Sequence, residues 1–461
     1  MKKLVSRFMA VLMAMTMILS MSMTAFAAEA QKGTLTVKNT VAGKTLDLYQ
    51  IFTATKSGDN VAYTLNSAYE GFFQSKITDA SALTGEALSE KAYDYVKTQV
   101  GTDGSNGAAF AKDMLGWILD LKNNITATKT VVTTAPSTQI SDLAYGYYLV
   151  YPKGATDTSA APGNQTYTSA ASLVNVTGDT SINMKSNYPT VDKKIIPAQS
   201  GSGIKVGAIV DASWDGSHHM GLEDDENESE DTIAPRGAAD EKKAGDFGIG
   251  DTVTYQLTSK VPDMTGYNSY TFKFSDALSK GLDLKEVLSV KVGNTTLTAK
   301  GTGANTYALA YDQAKRTLTV TLNDFYNSYK NHTGETITVV YTATLNKDAV
   351  IGMNPNTNKA VVEYSNDPKS GGTGKSEPSI VDVHTFDFTI YKYYLKDQSN
   401  KEDKTALAKA EFELYKANEA GDAADTNAKI NIVKVKEGEY RQATPEEAVA
   451  EVFKSDVIVS G

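Results

Sequence analysis

The stretch Tyr188-Pro-Thr-Val-Asp-Lys-Lys-Ile195, set beside Asn358-Lys-Ala-Val-Val-Glu-Tyr-Ser-Asn366, decides how this chain is read. Each has the pattern of a short β-strand, and side chains on a strand alternate between its two faces. Val191, Lys193 and Ile195 therefore share one face, as do Asn358, Ala360, Val362 and Tyr364. A lysine and an asparagine at core-facing positions of different strands are an unusual pair to bury. Their presence points to a covalent cross-link.

An amide between a lysine amine and an asparagine carboxamide has three requirements. The lysine must be neutral to attack, and burial in an apolar site lowers its pKa. The carboxamide must be polarised, which a carboxylic acid kept protonated by the same site can do. The partners must also be held together, because orientation supplies a large effective molarity. Ammonia then leaves. The carboxyl candidate is Asp276, since Tyr270, Phe272, Phe274 and Asp276 fall on one face of Tyr270-Thr-Phe-Lys-Phe-Ser-Asp276. Each residue also has a plainer reading. Lys193 fits an edge-strand lysine reaching to solvent, Asp276 fits a cap on the following turn, and Asn358 fits a turn residue in Asn354-Pro-Asn-Thr-Asn358. Taken together, the three are expected on the first, middle and last strands of one domain, each with core parity.

The first residues set the compartment. Lys2, Lys3 and Arg7 precede an apolar run from Phe8 to Met23, and Ala25-Phe26-Ala27 supplies a small-residue cleavage site, so residues 1–27 read as a signal peptide. No later stretch approaches the roughly 20 apolar residues of a membrane span. An exported chain of 461 residues without cysteine has no disulfide to staple it. A net charge of −10 argues against nucleic acid or an anionic membrane surface as partner. Twenty-five tyrosines with recurrent Thr and Val suit half-buried strands.

Residues 28–187 read as a first, β-rich domain with one or two inserted helices, over 87–100 and 109–121. Residues 188–382 read as a β-sandwich of many short strands separated by turns. Its clearest strands are Asp251–Leu257, Tyr270–Phe274, Arg316–Leu322 and Glu335–Tyr341. Within it, the acidic segment 222–243 reads as a solvated loop. Calcium binding by Glu223 to Asp231 lacks the spacing of a helix-loop-helix calcium site, and His218-His219 beside it could hold metal only weakly. Residues 383–461 open on a strand, Thr385-Phe-Asp-Phe-Thr-Ile-Tyr-Lys392, and are expected to stop in mid-domain, so that the natural C-terminus is missing.

These segments resemble the major backbone pilins of Gram-positive bacteria, the LPxTG-anchored subunits that class C sortases polymerise. The resemblance rests on Gly146-Tyr-Tyr-Leu-Val150, the 188–195 junction, Ile249-Gly-Asp-Thr-Val-Thr-Tyr255 and Asp276-Ala-Leu-Ser-Lys-Gly-Leu282. It rests also on Glu363-Tyr-Ser-Asn-Asp-Pro368, Phe388-Thr-Ile-Tyr-Lys392 and Ala410-Glu-Phe-Glu-Leu-Tyr415. It implies a mainly β fold of tandem immunoglobulin-like, collagen-adhesin-type β-sandwich domains, the first with inserted helices. It also implies a Lys193–Asn358 isopeptide bond promoted by Asp276. Lys392, in parity with Phe386, Phe388 and Ile390, matches the lysine of a second cross-link whose partner lies beyond Gly461. The subunit-linking lysine of the family corresponds to Lys185, with Lys153 in Tyr151-Pro-Lys153 as the alternative. The LPxTG signal is absent, in keeping with truncation.

The expected function is that of a shaft subunit of a cell-wall-anchored surface pilus. Its partners are identical subunits head-to-tail and a class C sortase, with minor pilins and host surface ligands as further candidates. An adhesin or tip pilin is the alternative. An enzyme is disfavoured, since four histidines, no cysteine and no catalytic motif leave little from which to build a site. No cofactor or metal is expected.

Overall fold

The computed structural model describes residues 31–101, 107–156, 170–184, 188–199, 203–205, 243–418, 420, 422–450, 454 and 456–460. The expected signal peptide, Lys185, His218-His219 and nearly all of the acidic segment lie outside them.

The first body is built on a five-stranded sheet. Asn60–Leu65, Thr45–Ser57, Gly146–Pro152 and Ser172–Val176 are neighbours in that order, and Lys129–Val132 adds to Thr45–Ser57. One face carries Tyr49, Ile51, Tyr147 and Leu149 against helices Glu70–Lys76, Gly85–Val100 and Gly107–Leu119. The other carries Leu46, Leu48, Tyr148 and Val150 against a three-stranded sheet with Lys32–Lys38 at its centre. A strand covered on both faces has no solvent side, which explains why every residue of Gly146–Pro152 is buried. The two expected helices are present with slightly shifted ends. Glu70–Lys76 is a third, and seven residues are too few to show a helical period.

Two sheets then face each other across one core. The first runs Ile204–Lys205, Leu282–Val292, Thr336–Leu345, Thr252–Lys260, Asp192–Ile196. The second runs Ala244–Asp246, Ser379–His384, Asn356–Asp367, Phe272–Leu278, Thr317–Leu322, Thr306–Asp312, Thr298–Ala299. All four strands read most clearly from the sequence form, with ends no more than four residues from those expected. One expectation is corrected. The Asn358 strand is not the last of this domain, because Gly372–Lys375 and Ser379–His384 follow it and both pair with it.

The two bodies meet closely. Gly154 (φ +73°) lies against Asn366, and a Cβ there would come within 2.8 Å of the asparagine's own Cβ. Gly266 (φ +84°) lies against Leu119 of the third helix in the same way. Lys153 joins Asp47 of the first body (3.4 Å) to Asp367 of the second (3.1 Å).

From Tyr393 onward the strands form separate two-stranded pairs. Here the structure departs from the reading of Thr385–Lys392 as a buried strand. The segment forms no strand, and Phe386, Phe388 and Ile390 are exposed. Among the described residues no second sheet stands over them, and of the apolar side chains beyond His384 only Ile432 and Ala443 are buried.

Candidate functional site: a buried lysine, aspartate, tyrosine and asparagine

The sandwich brings the three sequence-selected residues together and adds a fourth. Lys193 comes from the edge strand of the first sheet, where it pairs with Leu257. Its face is the core face, as parity predicted. Asp276 and Asn358 come from adjacent strands of the second sheet. Asp276 stands opposite Ala360, and Asn358 opposite Leu278, so the two side chains are diagonal neighbours on one face. All three are fully buried.

The fourth residue is Tyr341. It continues the core stripe Ile337, Val339, Tyr341, Ala343, Leu345 on the strand Thr336–Leu345. Its hydroxyl lies at the hub of the cluster. Lys193 Nζ donates to it at 2.7 Å, Asn358 Nδ2 donates to it at 2.7 Å, and it donates to Asp276 Oδ2 at 2.6 Å. One donor and two acceptor positions are all a phenol has, so Tyr341 is saturated. Lys193 Nζ also reaches Asp276 Oδ1 at 2.5 Å and sits 5.0 Å from the centre of the Tyr255 ring. Tyr255 in turn stacks on Tyr341 at 5.2 Å.

Burial sets the charge state of this cluster. It pushes the Lys193 ammonium down to about 8, against the pull of Asp276. It raises the Asp276 carboxyl above its ordinary range, against its bonds to Lys193 and Tyr341. Burial likewise puts the Tyr341 phenol well above its ordinary value, so it stays a neutral phenol. Burial therefore moves both groups toward their neutral forms, the amine and the carboxylic acid, against their mutual attraction. The arrangement differs from the expectation in one respect: the path from Asp276 to the carboxamide runs through Tyr341.

A second asparagine provides an internal comparison. Asn356 shares the face of Asn358 and is equally buried. Its amide is fully engaged by backbone: Oδ1 accepts from Val350 N–H at 2.8 Å, and Nδ2 donates to the carbonyls of Val350 (3.0 Å) and Val383 (3.2 Å). Asn358 Oδ1, in contrast, is buried without a hydrogen bond. Only Asn358 faces the lysine cluster. The lysine strand is held from outside as well: its Lys193 N–H donates to Ser379 Oγ at 2.9 Å, and Lys243 Nζ donates to the Lys193 carbonyl at 2.6 Å.

The remaining candidates lie elsewhere. Lys153 is bound between two carboxylates at the junction of the first two bodies, and Lys392 is exposed outside any strand. Lys185 lies outside the described residues. Among the described residues no three His, Asp or Glu side chains gather as a metal site. No described helix is long and apolar enough to cross a membrane.

The fold is thus a two-sheet sandwich with a buried polar cluster in its core. Residues 249–368 match the family model of the Gram-positive pilin backbone subunit 2, Cna-B-like domain, a span that holds Asp276, Tyr341 and Asn358. That match, over part of the middle sandwich, bears out the resemblance to backbone pilins drawn from the sequence. The family is structural rather than catalytic. Among solved structures the chain is similar to the T6 backbone pilin of serotype M6 Streptococcus pyogenes, with 16% identity over 90% of this chain and 75% of that one and a TM-score of 0.43. It is also similar to the major pilin SpaD of Corynebacterium diphtheriae, with 17% identity over 84% and 72% and a TM-score of 0.35. For the major pilin BcpA of Bacillus cereus the values are 14%, 89%, 81% and 0.35. No curated protein matches the sequence.

Proposed function

We propose that this chain is the shaft subunit of a covalently polymerised pilus, and that its middle domain closes itself with a Lys193–Asn358 isopeptide bond promoted by Asp276. The observation that supports this most directly is the fully buried Lys193–Asp276 pair, joined through Tyr341 to Asn358 inside the sandwich. A structural ion pair would do as well with a solvated edge. Here burial favours neutral forms, as an attacking amine and a proton-donating acid require. The bond would close a loop of about 165 residues, worth about 5 kcal/mol if it acts by restricting the unfolded chain.

Subunit linkage is assigned to Lys185, joined by a class C sortase to the sorting signal of the next copy in a head-to-tail filament. Lys153 is the poorer choice, because two carboxylates hold it at an internal junction. The second cross-link implied for Lys392 stays part of the proposal. Its lysine is exposed here, and it would need a further strand to bury it.

Intact mass of the purified chain tests the middle-domain bond. One Lys–Asn amide removes one ammonia, about 17 Da, and tandem mass spectrometry of a digest should join the peptides holding Lys193 and Asn358. A chain of unshifted mass would remove the cross-link from this reading.

A further inference from the structure

Bond formation between Lys193 and Asn358 has a proton problem that the lysine, acid and asparagine alone leave open. The attacking nitrogen must lose a proton after it bonds to Asn358 Cγ, and the departing Nδ2 must gain one to leave as ammonia. Within this core a single polar atom hydrogen-bonds both nitrogens: the Tyr341 hydroxyl, 2.7 Å from Lys193 Nζ and 2.7 Å from Asn358 Nδ2. We propose that Tyr341 is a catalytic residue of the self-linking reaction, a proton relay between Lys193 Nζ and Asn358 Nδ2. The proposal rests on the cross-link reading above.

The relay follows from the geometry in three steps. Lys193 first passes one proton to the Tyr341 oxygen as the phenol passes its own to Asp276 Oδ2, leaving an amine and a carboxylic acid protonated at Oδ2. The protonated Asp276 then donates to the phenol oxygen, 2.6 Å from Oδ2, and the phenol hydrogen turns from the carboxyl toward Nδ2. As the Nζ–Cγ bond forms and the Cγ–Nδ2 bond breaks, Nζ gives a proton to the phenol oxygen while the phenol gives its own to Nδ2. Tyr341 starts and ends as a neutral phenol. Ammonia departs and takes the proton stored on Asp276, so lysine ammonium plus carboxamide becomes amide plus ammonium ion. A water chain cannot easily substitute, because Lys193, Asp276, Tyr341 and Asn358 are all fully buried.

Tyr341→Phe keeps the ring that stacks on Tyr255 and removes only the hydroxyl. The full chain, made by cell-free synthesis and sampled over time by intact mass, should lose about 17 Da in its natural form. The Tyr341→Phe chain, with unchanged circular dichroism, should lose it on the order of 100-fold more slowly, the usual scale of a proton-transfer contribution. A Tyr341→Phe chain that keeps pace with the natural one overturns the relay and leaves the cross-link standing. A natural chain that never loses mass overturns both. Should Tyr341→Phe fail to fold, a fluorinated tyrosine at 341 preserves shape while making the phenol more acidic. The relay predicts a changed rate and a displaced pH profile for it, and an unaltered rate overturns the relay.

Discussion

A lysine with its ammonium 2.5 Å from a carboxylate would ordinarily be held charged, yet both groups here are fully buried, and burial acts on them in opposite directions. The pair therefore titrates as a unit. The reacting form, amine beside acid, carries the same number of protons as the ion pair. Bond formation should accordingly be fastest on a plateau. It should decline as pH falls through the raised value of Asp276, where the pair takes a second proton, and decline again above about 8, where Lys193 loses the pair's remaining proton. Rates of ammonia loss measured from pH 4 to 10 check this. A rate that climbs steadily past pH 9 would deny Asp276 its acid role. Parity on three strands was enough to place Lys193, Asp276 and Asn358 in the core. Tyr341 escaped because one more aromatic in an apolar stripe looks like packing. The missed signal was physical: a buried phenol hydroxyl needs a partner, and Tyr341 has apolar neighbours at every second position along its strand.

Strands are where the sequence reads best, and the reason is visible in Asn356–Asp367. Asn358, Ala360, Val362 and Tyr364 face the core, as alternation assigns them, although Val361 and Glu363 on the other face are buried too. Alternation does not say whether a covering sheet exists. Thr385–Lys392 alternates as well as any strand here, but its stripe lies exposed. Pairing partners were also beyond reach of the sequence, since Ser379–His384 joins the Asn358 strand across a connection that includes a further short strand. That late strand matters to the site. Ser379 Oγ receives both the Lys193 N–H and Lys243 Nζ (3.1 Å), tying the lysine strand to the opposite sheet. Replacing Ser379 with alanine should cost about 1 kcal/mol, the usual net worth of such bonds. The comparison belongs in a Lys193→Ala background, by urea unfolding, where the cross-link cannot mask it. No change in midpoint would mean that the strand is held by packing alone.

For the assembled chain, the two lysines considered for subunit linkage stand in different surroundings. Lys153 binds Asp47 and Asp367 across the junction of the first two bodies, and these carboxylates raise its pKa against burial. A protonated, tethered amine is a poor nucleophile. With the cognate sortase and a signal-bearing partner, ladders of linked subunits should vanish in Lys185→Ala and persist in Lys153→Ala; the reverse pattern would overturn the assignment. Sequence gave no hint of Lys153's partners, because Asp47 and Asp367 lie 320 positions apart in the chain. The placement of the proposed bond also bears on mechanics. Tension arriving at the strand Asp192–Ile196 would cross to Asn358 through the amide and leave by the following two strands. About 160 residues would sit off that path, withholding roughly 550 Å of contour length, while the stretch from Asn358 to His384 could yield only roughly 90 Å. Such a domain would behave as a nearly inextensible link, its compliance confined to one short return at the far end of the fold.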